Sequence, residues 1–351
     1  MFDSPVQQHN IHMSYVDYLI QRALQSVPVI LGLSVLIFGI SRVIPGDPVR
    51  LALGPEASDS QVAALRAEMG LDQPLPVQYF DWLVGVVQGD WGMSLRTNNN
   101  VFSDIVGRLP ATFELTTVTL VFAVLLAIPF GVVAGTNKDR WQDHVSRVTA
   151  LFGVSMPRFW VAIVLQIIFV VSLGLLPLSG RLSDGVTPPP SVTHLYLVDS
   201  LIAGQFGTFI DAATHLVLPA FALGLATLAQ VMRLIRSDMI DEQRKDYVLA
   251  ARAYGLPNNL IEYKYMLRNA FTSSLTVIGL AFGFLLGNAF LVEIVFAWPG
   301  MARYGVQAIL YQDFNAIVGV TIVVGIGFVT ANFIVDLLYG YLDPRVRLED
   351  G

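Results

Sequence analysis

The stretch Asp246-Tyr-Val-Leu-Ala-Ala-Arg-Ala-Tyr-Gly255, continued to Ala270, is a polar interruption between two apolar runs. With its flank it carries Arg244, Lys245, Arg252, Lys264 and Arg268, the longest basic segment of that kind in the chain. Basic loops between membrane spans stay on the cytoplasmic side, which is where this segment is expected. Tyr247 to Tyr254 holds no Gly or Pro and is rich in Ala, Leu and Arg, so it predicts a short helix. Gly255 then offers the left-handed residue that ends it, and Pro257 suits the first turn of a second helix. Small Ala250 and Ala251 would let another protein surface approach closely. A rigid knob offered to a soluble partner is one reading; a connecting loop that happens to be helical is the other.

Outward from this stretch the chain is apolar. Of its 351 residues 54% are hydrophobic and only 14% charged, and the mean hydropathy is +0.60. This excludes an ordinary soluble domain and predicts a polytopic all-α membrane protein. Cysteine is absent, which excludes disulfides, thiol catalysis and thiolate metal sites. A span needs roughly 20 apolar residues. Six runs meet this: Ser26 to Val43, Ala111 to Thr136, Val148 to Leu173, His215 to Met232, Ser273 to Phe296 and Ala316 to Tyr339. The first is read as a retained span, not a cleaved signal. Lys138, Lys245, Lys264, Arg140, Arg147, Arg345 and Arg347 then fall on one side, so both termini are expected in the cytoplasm. The division expected is a cytoplasmic segment 1–25, a six-span unit 26–340 and a cytoplasmic tail 341–351. Outer loops cover 45–110, 174–214 and 297–315, and the basic inner loop covers 236–272.

The outer loops carry their own signals. Pro45-Gly46-Asp47-Pro48 ends the first span in a rigid turn, and Asp59 to Met69 reads as a helix capped by Ser58 or Asp59. Trp82 and Trp91 suit interfacial anchoring. Leu195 to Ile202 reads either as an amphipathic segment in the outer interface or as a loop packed on the bundle. Pro129, Pro157 and Pro219 could each kink a span. Among polar residues in or near spans, Gln166, Gln230, Asn288 and Glu293 are candidates for the pathway or its outer gate, with interhelical hydrogen bonding as the plainer reading; Asn332 and Asp336 lie in the last span. The five histidines, His9, His12, His144, His194 and His215, are scattered, and no metal site is expected. Asn137, Arg244 and Tyr263 precede the three lysines, so a Gly-Lys-Ser/Thr phosphate loop is excluded and any nucleotide must be hydrolysed by another chain.

Ala250-Ala251 followed by Gly255 resembles the Glu-Ala-Ala-x-x-x-Gly coupling loop of ABC importer permeases. Asp246-Tyr-Val-x-x-Ala-Arg-Ala-x-Gly255 with Leu267-Arg-Asn-Ala270 is similar to its version in the dipeptide, oligopeptide and nickel permeases. Leu249 stands in the place of the motif's Glu, and Arg268 where the general motif ends in Pro. The Pro-Gly-Asp-Pro turn, Gly89-Asp-Trp-Gly-Met-Ser94 and Trp298-Pro-Gly300 with Asp313 also fit, so the resemblance runs from about Tyr18 to Arg347. It implies a type I ABC importer permease fold with six transmembrane helices, and an ATPase-coupling loop formed by Asp246, Tyr247, Ala250, Ala251, Arg252, Gly255, Arg268 and Asn269. It also implies a second homologous permease, two cytoplasmic ATP-binding subunits that carry ATP and Mg2+, and an extracytoplasmic solute-binding protein. No cofactor on this chain and no nucleic-acid partner are expected. Peptide is the cargo it implies first, with nickel or another small solute as alternatives. An ion-driven secondary transporter would need a midplane acid pair or an internal repeat, and a membrane enzyme clustered catalytic residues; neither pattern is found.

Overall fold

The computed structural model describes residues 15–43, 48–54, 56–68 and 70–342. Pro45 to Asp47 of the expected turn, His9, His12, Arg345 and Arg347 lie outside them, as does the side chain of Asp336. The described residues are nearly all helical. The helices are α1 (Tyr15–Val43), α2 (Pro48–Leu53), α3 (Asp59–Glu68), α4 (Leu75–Gln88), α5 (Val101–Thr136), α6 (Trp141–Ser155), α7 (Arg158–Leu165) and α8 (Tyr196–Ile202). They continue as α9 (Phe206–Glu242), α10 (Asp246–Ala253), α11 (Asn258–Leu260), α12 (Leu267–Asn288), α13 (Phe290–Val295), α14 (Met301–Leu310) and α15 (Phe314–Leu342). Wider π-turns extend α7 over Gln166–Ser172 and join α11 to α12 over Ile261–Met266.

Helix α9 is the mast of the bundle. Its 37 residues rise about 55 Å at 1.5 Å each, well beyond about 30 Å of hydrocarbon, so its end projects past the apolar layer. It packs against α5 without intervening side chains. A Cβ added at Gly131 would stand 2.9 Å from Ile235, one at Gly135 2.6 Å from the Met239 Cβ, and one at Gly224 2.9 Å from Thr119. The paired numbers rise together, so the two helices run parallel and their C-termini reach the same end. That end carries Lys138, Arg140, Arg147, Lys245, Arg252, Lys264 and Arg268. Helix α6 returns antiparallel along α9, with Asp143 beside Arg236 and Gly153 against Ala229. Helices α12 and α15 are likewise antiparallel, Gly279 meeting Val335 and Gly283 meeting Phe328.

By length and composition α5, α9 and α15 can each cross a membrane, and two bent helix pairs, Trp141–Ser155 with Arg158–Ser172 and Asn258–Phe271 with Ser273–Asn288, are apolar enough to do so as broken spans. Within α1 the apolar stretch is shorter, Leu24–Ile40. The third run, expected as one span from Val148 to Leu173, is therefore not straight. It bends by 110° between α6 and α7, because Pro157 has no N–H to continue the ladder and forces Met156 into extended backbone, φ −84° and ψ 134°. Pro129 and Pro219 stay inside unbroken helices. The fifth run also departs from expectation: α12 ends at Asn288, and α13 follows as a separate short helix.

At the opposite end several connecting segments pack on the bundle. Ser58 caps α3, its hydroxyl accepting from the Gln61 N–H while the Gln61 side chain accepts from the Ser58 N–H, a reciprocal capping box. Trp91 donates to the Val86 carbonyl at 3.0 Å, and Trp82 stacks with Phe38 and Tyr79. Helix α8 packs on α9 with Asp199 and Ser200 buried, while Val198, Leu201 and Ile202 stay exposed. Arg181, in the segment before α8, pairs with buried Glu114 of α5 at 2.7 Å and lies over the Tyr196 ring.

Candidate functional site

Helix α10 stands at the basic end, beyond the tip of α9. It ends as a Schellman motif: the Leu256 N–H donates to the Ala251 carbonyl at 3.1 Å and the Gly255 N–H to the Arg252 carbonyl at 3.0 Å. Gly255 sits at φ +74°, the left-handed conformation expected of it, where any Cβ adds about 1–2 kcal/mol. The motif turns the chain sharply into α11.

One side chain fastens the inner face. Val248 is 0% exposed and joins the core formed by Met239, Ile235, Ile261, Met266 and Ala270; burial of such a side chain contributes about 1.5–3 kcal/mol. Ala251, half-buried, packs against the same core with Leu256, which is the apolar contact that usually accompanies this cap. Ala250, Arg252, Ala253 and Gly255 are exposed, as are Asp246 and Arg268. Of the two alanines singled out in the sequence, only Ala250 therefore lies on the free face. Leu249 at 57% exposure and Tyr254 at 86% give that face an apolar character that spacing alone did not reveal.

Tyr247 and Asn269 have a different position. The Tyr247 hydroxyl donates to the carboxylate of Glu242, the last residue of α9. The Asn269 amide of α12 donates to the Tyr247 oxygen at 3.2 Å and to Glu242 at 3.4 Å. This triangle ties α10 to both α9 and α12. Burial, and then the Glu242 carboxylate, push the Tyr247 hydroxyl up to about 12. Nearby, Ser273 of α12 donates to Asp238 of α9, and Gln243 donates to the Gly135 carbonyl of α5 at 3.0 Å. One turn deeper, Asp143 of α6 is buried between Arg236 and Arg147, with Nη2 contacts of 2.9 Å to each. Hydrogen bonds thus connect α10 to α9 and α12, and α9 in turn to α5 and α6. Glu242, Asp238 and the Asp143–Arg236 pair carried no motif that sequence reasoning could use.

Three of the four pathway candidates gather elsewhere, around the break between α12 and α13. Glu293 is 0% exposed; its carboxylate accepts from Thr112 of α5 at 2.6 Å and from the Arg303 N–H at 2.7 Å. Thr112 in turn accepts from the Met301 N–H, and Gly300 lies so close that a Cβ there would overlap the carboxylate. Gln166 donates to the carbonyls of Leu178 and Val295. Asn288 donates to its own helix at Phe284. The bonds of Glu293 and Gln166 tie α13 and the turn after it to α5 and to the end of α7, whereas that of Asn288 stays within α12. Gln230 is not part of that group and lies exposed on α9.

The sequence matches the family described as "Binding-protein-dependent transport system inner membrane component" over residues 127–348, and the N-terminal region of the same membrane component over residues 15–116. The chain belongs to this family of binding-protein-dependent inner-membrane transport components. The family has the type I ABC permease fold, in keeping with the helical bundle above. Among curated relatives, the probable D,D-dipeptide transport system permease protein DdpB of Escherichia coli is 43% identical over 334 residues, 95% of this chain and 98% of the relative. The dipeptide transport system permease protein DppB of Alkalihalophilus pseudofirmus is 41% identical over 330 residues, 94% and 99% respectively. The glutathione transport system permease protein GsiC of Salmonella choleraesuis is 34% identical over 332 residues. Members of the inner-membrane component family are transport components.

Proposed function

We propose that the chain is a permease subunit of an ATP-driven, binding-protein-dependent peptide importer, forming half of the translocation pathway. Its basic end faces the cytoplasm, its six apolar segments act as six spans, and both termini are cytoplasmic. The cargo reading rests on the relatives, which are named for dipeptides and glutathione. The energy source lies in two partner ATPase subunits that hold ATP and Mg2+, since none of the three lysines follows a glycine. A second permease completes the pathway and an extracytoplasmic binding protein delivers the peptide.

The observation that carries the mechanism is the Tyr247–Glu242–Asn269 triangle. Leu249, Ala250, Arg252 and Tyr254 form the surface that enters a cleft of the ATPase, with Asp246, Gly255 and Arg268 at its margins. When ATP closes that cleft, α10 moves, and its bonds to α9 and α12 carry the two spans with it. Force is transmitted because the ATPase binds α10 differently in the two pathway states; equal affinity would shift nothing. Reconstitution tests this. Proteoliposomes holding this chain, its second permease and the ATPases should take up dipeptide only with ATP inside and binding protein outside. Uptake by this chain alone, driven by an ion gradient, would defeat the proposal.

A further inference from the structure

A groove of about 340 Å³ opens between α5, α6 and α9 at the basic end, within the size range of small-molecule sites. Its walls are apolar: Phe130 and Val133 of α5, Val145 of α6, and Phe221, Leu225 and Met232 of α9. From Met232 to Phe221 the α9 wall rises about 16 Å at 1.5 Å per residue, close to one leaflet of a hydrocarbon layer about 30 Å thick. Trp141, in the first turn of α6, lines the mouth, the position indole takes at a membrane interface.

Two bases precede the groove's Trp141 in sequence. Lys138 and Arg140 are exposed in the turn just before Trp141. Their neighbouring acids are already engaged: Asp143 pairs with Arg236 and Arg147, and Asp139 with Arg147 at 3.4 Å. Among the described residues no carboxylate pairs with Lys138 or Arg140, which leaves both bases available next to Trp141. Gln142, beside the indole, also lines the groove, and its side-chain oxygen is buried with no hydrogen-bond partner.

We propose that this groove holds one acyl chain of an anionic membrane phospholipid, its phosphate against Lys138 and Arg140 and a headgroup hydroxyl donating to Gln142. Basic pockets between spans are a known means of holding anionic headgroups. A groove of this volume admits a single chain and excludes a helix, which is about 10–12 Å across with its side chains. The proposal is independent of the peptide cargo and of the α10 mechanism.

The test is native mass spectrometry of the complete importer released from nanodiscs made of equal phosphatidylglycerol and phosphatidylcholine. The wild-type complex is expected to retain phosphatidylglycerol several-fold over phosphatidylcholine. Lys138→Gln with Arg140→Gln, both on the surface, should abolish that preference, and Thr149→Trp, which fills the groove, should lower retention of both lipids. In the Cys-free chain, Val145→Cys carrying a benzophenone should yield a phospholipid adduct. Equal retention of the two lipids by the wild type, an unchanged preference in the rim variant, or an adduct with the second permease would each overturn the proposal.

Discussion

The Tyr247 hydroxyl on α10 donates to the Glu242 carboxylate that ends α9, so the short helix is hydrogen-bonded to the span that precedes it. Tyr247→Phe removes this bond while keeping the ring. A bond to a charged acceptor contributes about 1.5–3 kcal/mol, so α10 should loosen without unfolding the bundle. Expected is a complex that assembles with its ATPases and hydrolyses ATP but imports several-fold less peptide per ATP. An unchanged transport-to-hydrolysis ratio would show that the bond carries no load.

The same residue sets a pH dependence. Its hydroxyl is raised to about 12 by burial and by Glu242, against about 10 in an unfolded chain. The fold therefore favours the neutral phenol: its stabilising contribution is complete below about pH 10 and is lost as pH rises towards 12. Melting temperature of the wild type should fall faster between pH 9.5 and 11, both about one unit or less from the free phenol value, than that of Tyr247→Phe. Parallel curves would contradict the assignment.

Helix α6 is held to α9 through Asp143. Asp143→Ala leaves Arg236 without its buried carboxylate, and breaking such a pair from one side costs about 3–5 kcal/mol. A large loss of folded protein after detergent extraction is expected, read by thermal-shift chromatography. Asp143→Asn, which keeps the hydrogen-bonding shape, should be milder.

Close packing of α5 on α9 gives a second stability test. A methyl at Gly135 would meet the Met239 Cβ at 2.6 Å and the Arg236 carbonyl at 2.9 Å, and overpacking typically costs about 1–3 kcal/mol. Gly135→Ala should lower the melting temperature, whereas Gly107→Ala, with nothing within 4 Å, should not.

At the other end, Glu293 is hydrogen-bonded to Thr112 and to the Arg303 N–H. Glu293→Gln keeps one acceptor oxygen but turns an amide NH2 towards either the Thr112 hydroxyl or the Arg303 N–H, so stability should fall while peptide KM stays unchanged. A strongly altered KM with normal stability would instead place Glu293 in the pathway.

Much of this was written locally. Gly255 is legible because only a left-handed residue closes a helix in this way, and Ser58 with Gln61 announces its own capping box. The 110° elbow had its signal in Pro157, but two other prolines, Pro129 and Pro219, sit in unbroken helices; proline alone does not say whether neighbours will absorb its missing N–H. The triangle was not legible, since Asn269 lies 27 positions from Glu242 and meets it only after α12 folds back along α9. Ala250 and Ala251 look equivalent as letters; the rotation of α10, fixed by Val248 in the core, exposes one and turns the other inward. The partners of Glu293, Thr112 and the Arg303 N–H, belong to segments that only tertiary packing brings together, so these contacts were not legible.

The most direct measurement uses the absence of cysteine. Tyr254→Cys places a single thiol at the most exposed point of the α10 face, to be labelled with a membrane-impermeant maleimide. The account predicts no reaction in intact cells, rapid reaction in inside-out vesicles stripped of the ATPases, and protection when the ATPases are restored. Labelling from outside intact cells, or labelling that the ATPases leave unchanged, would contradict it.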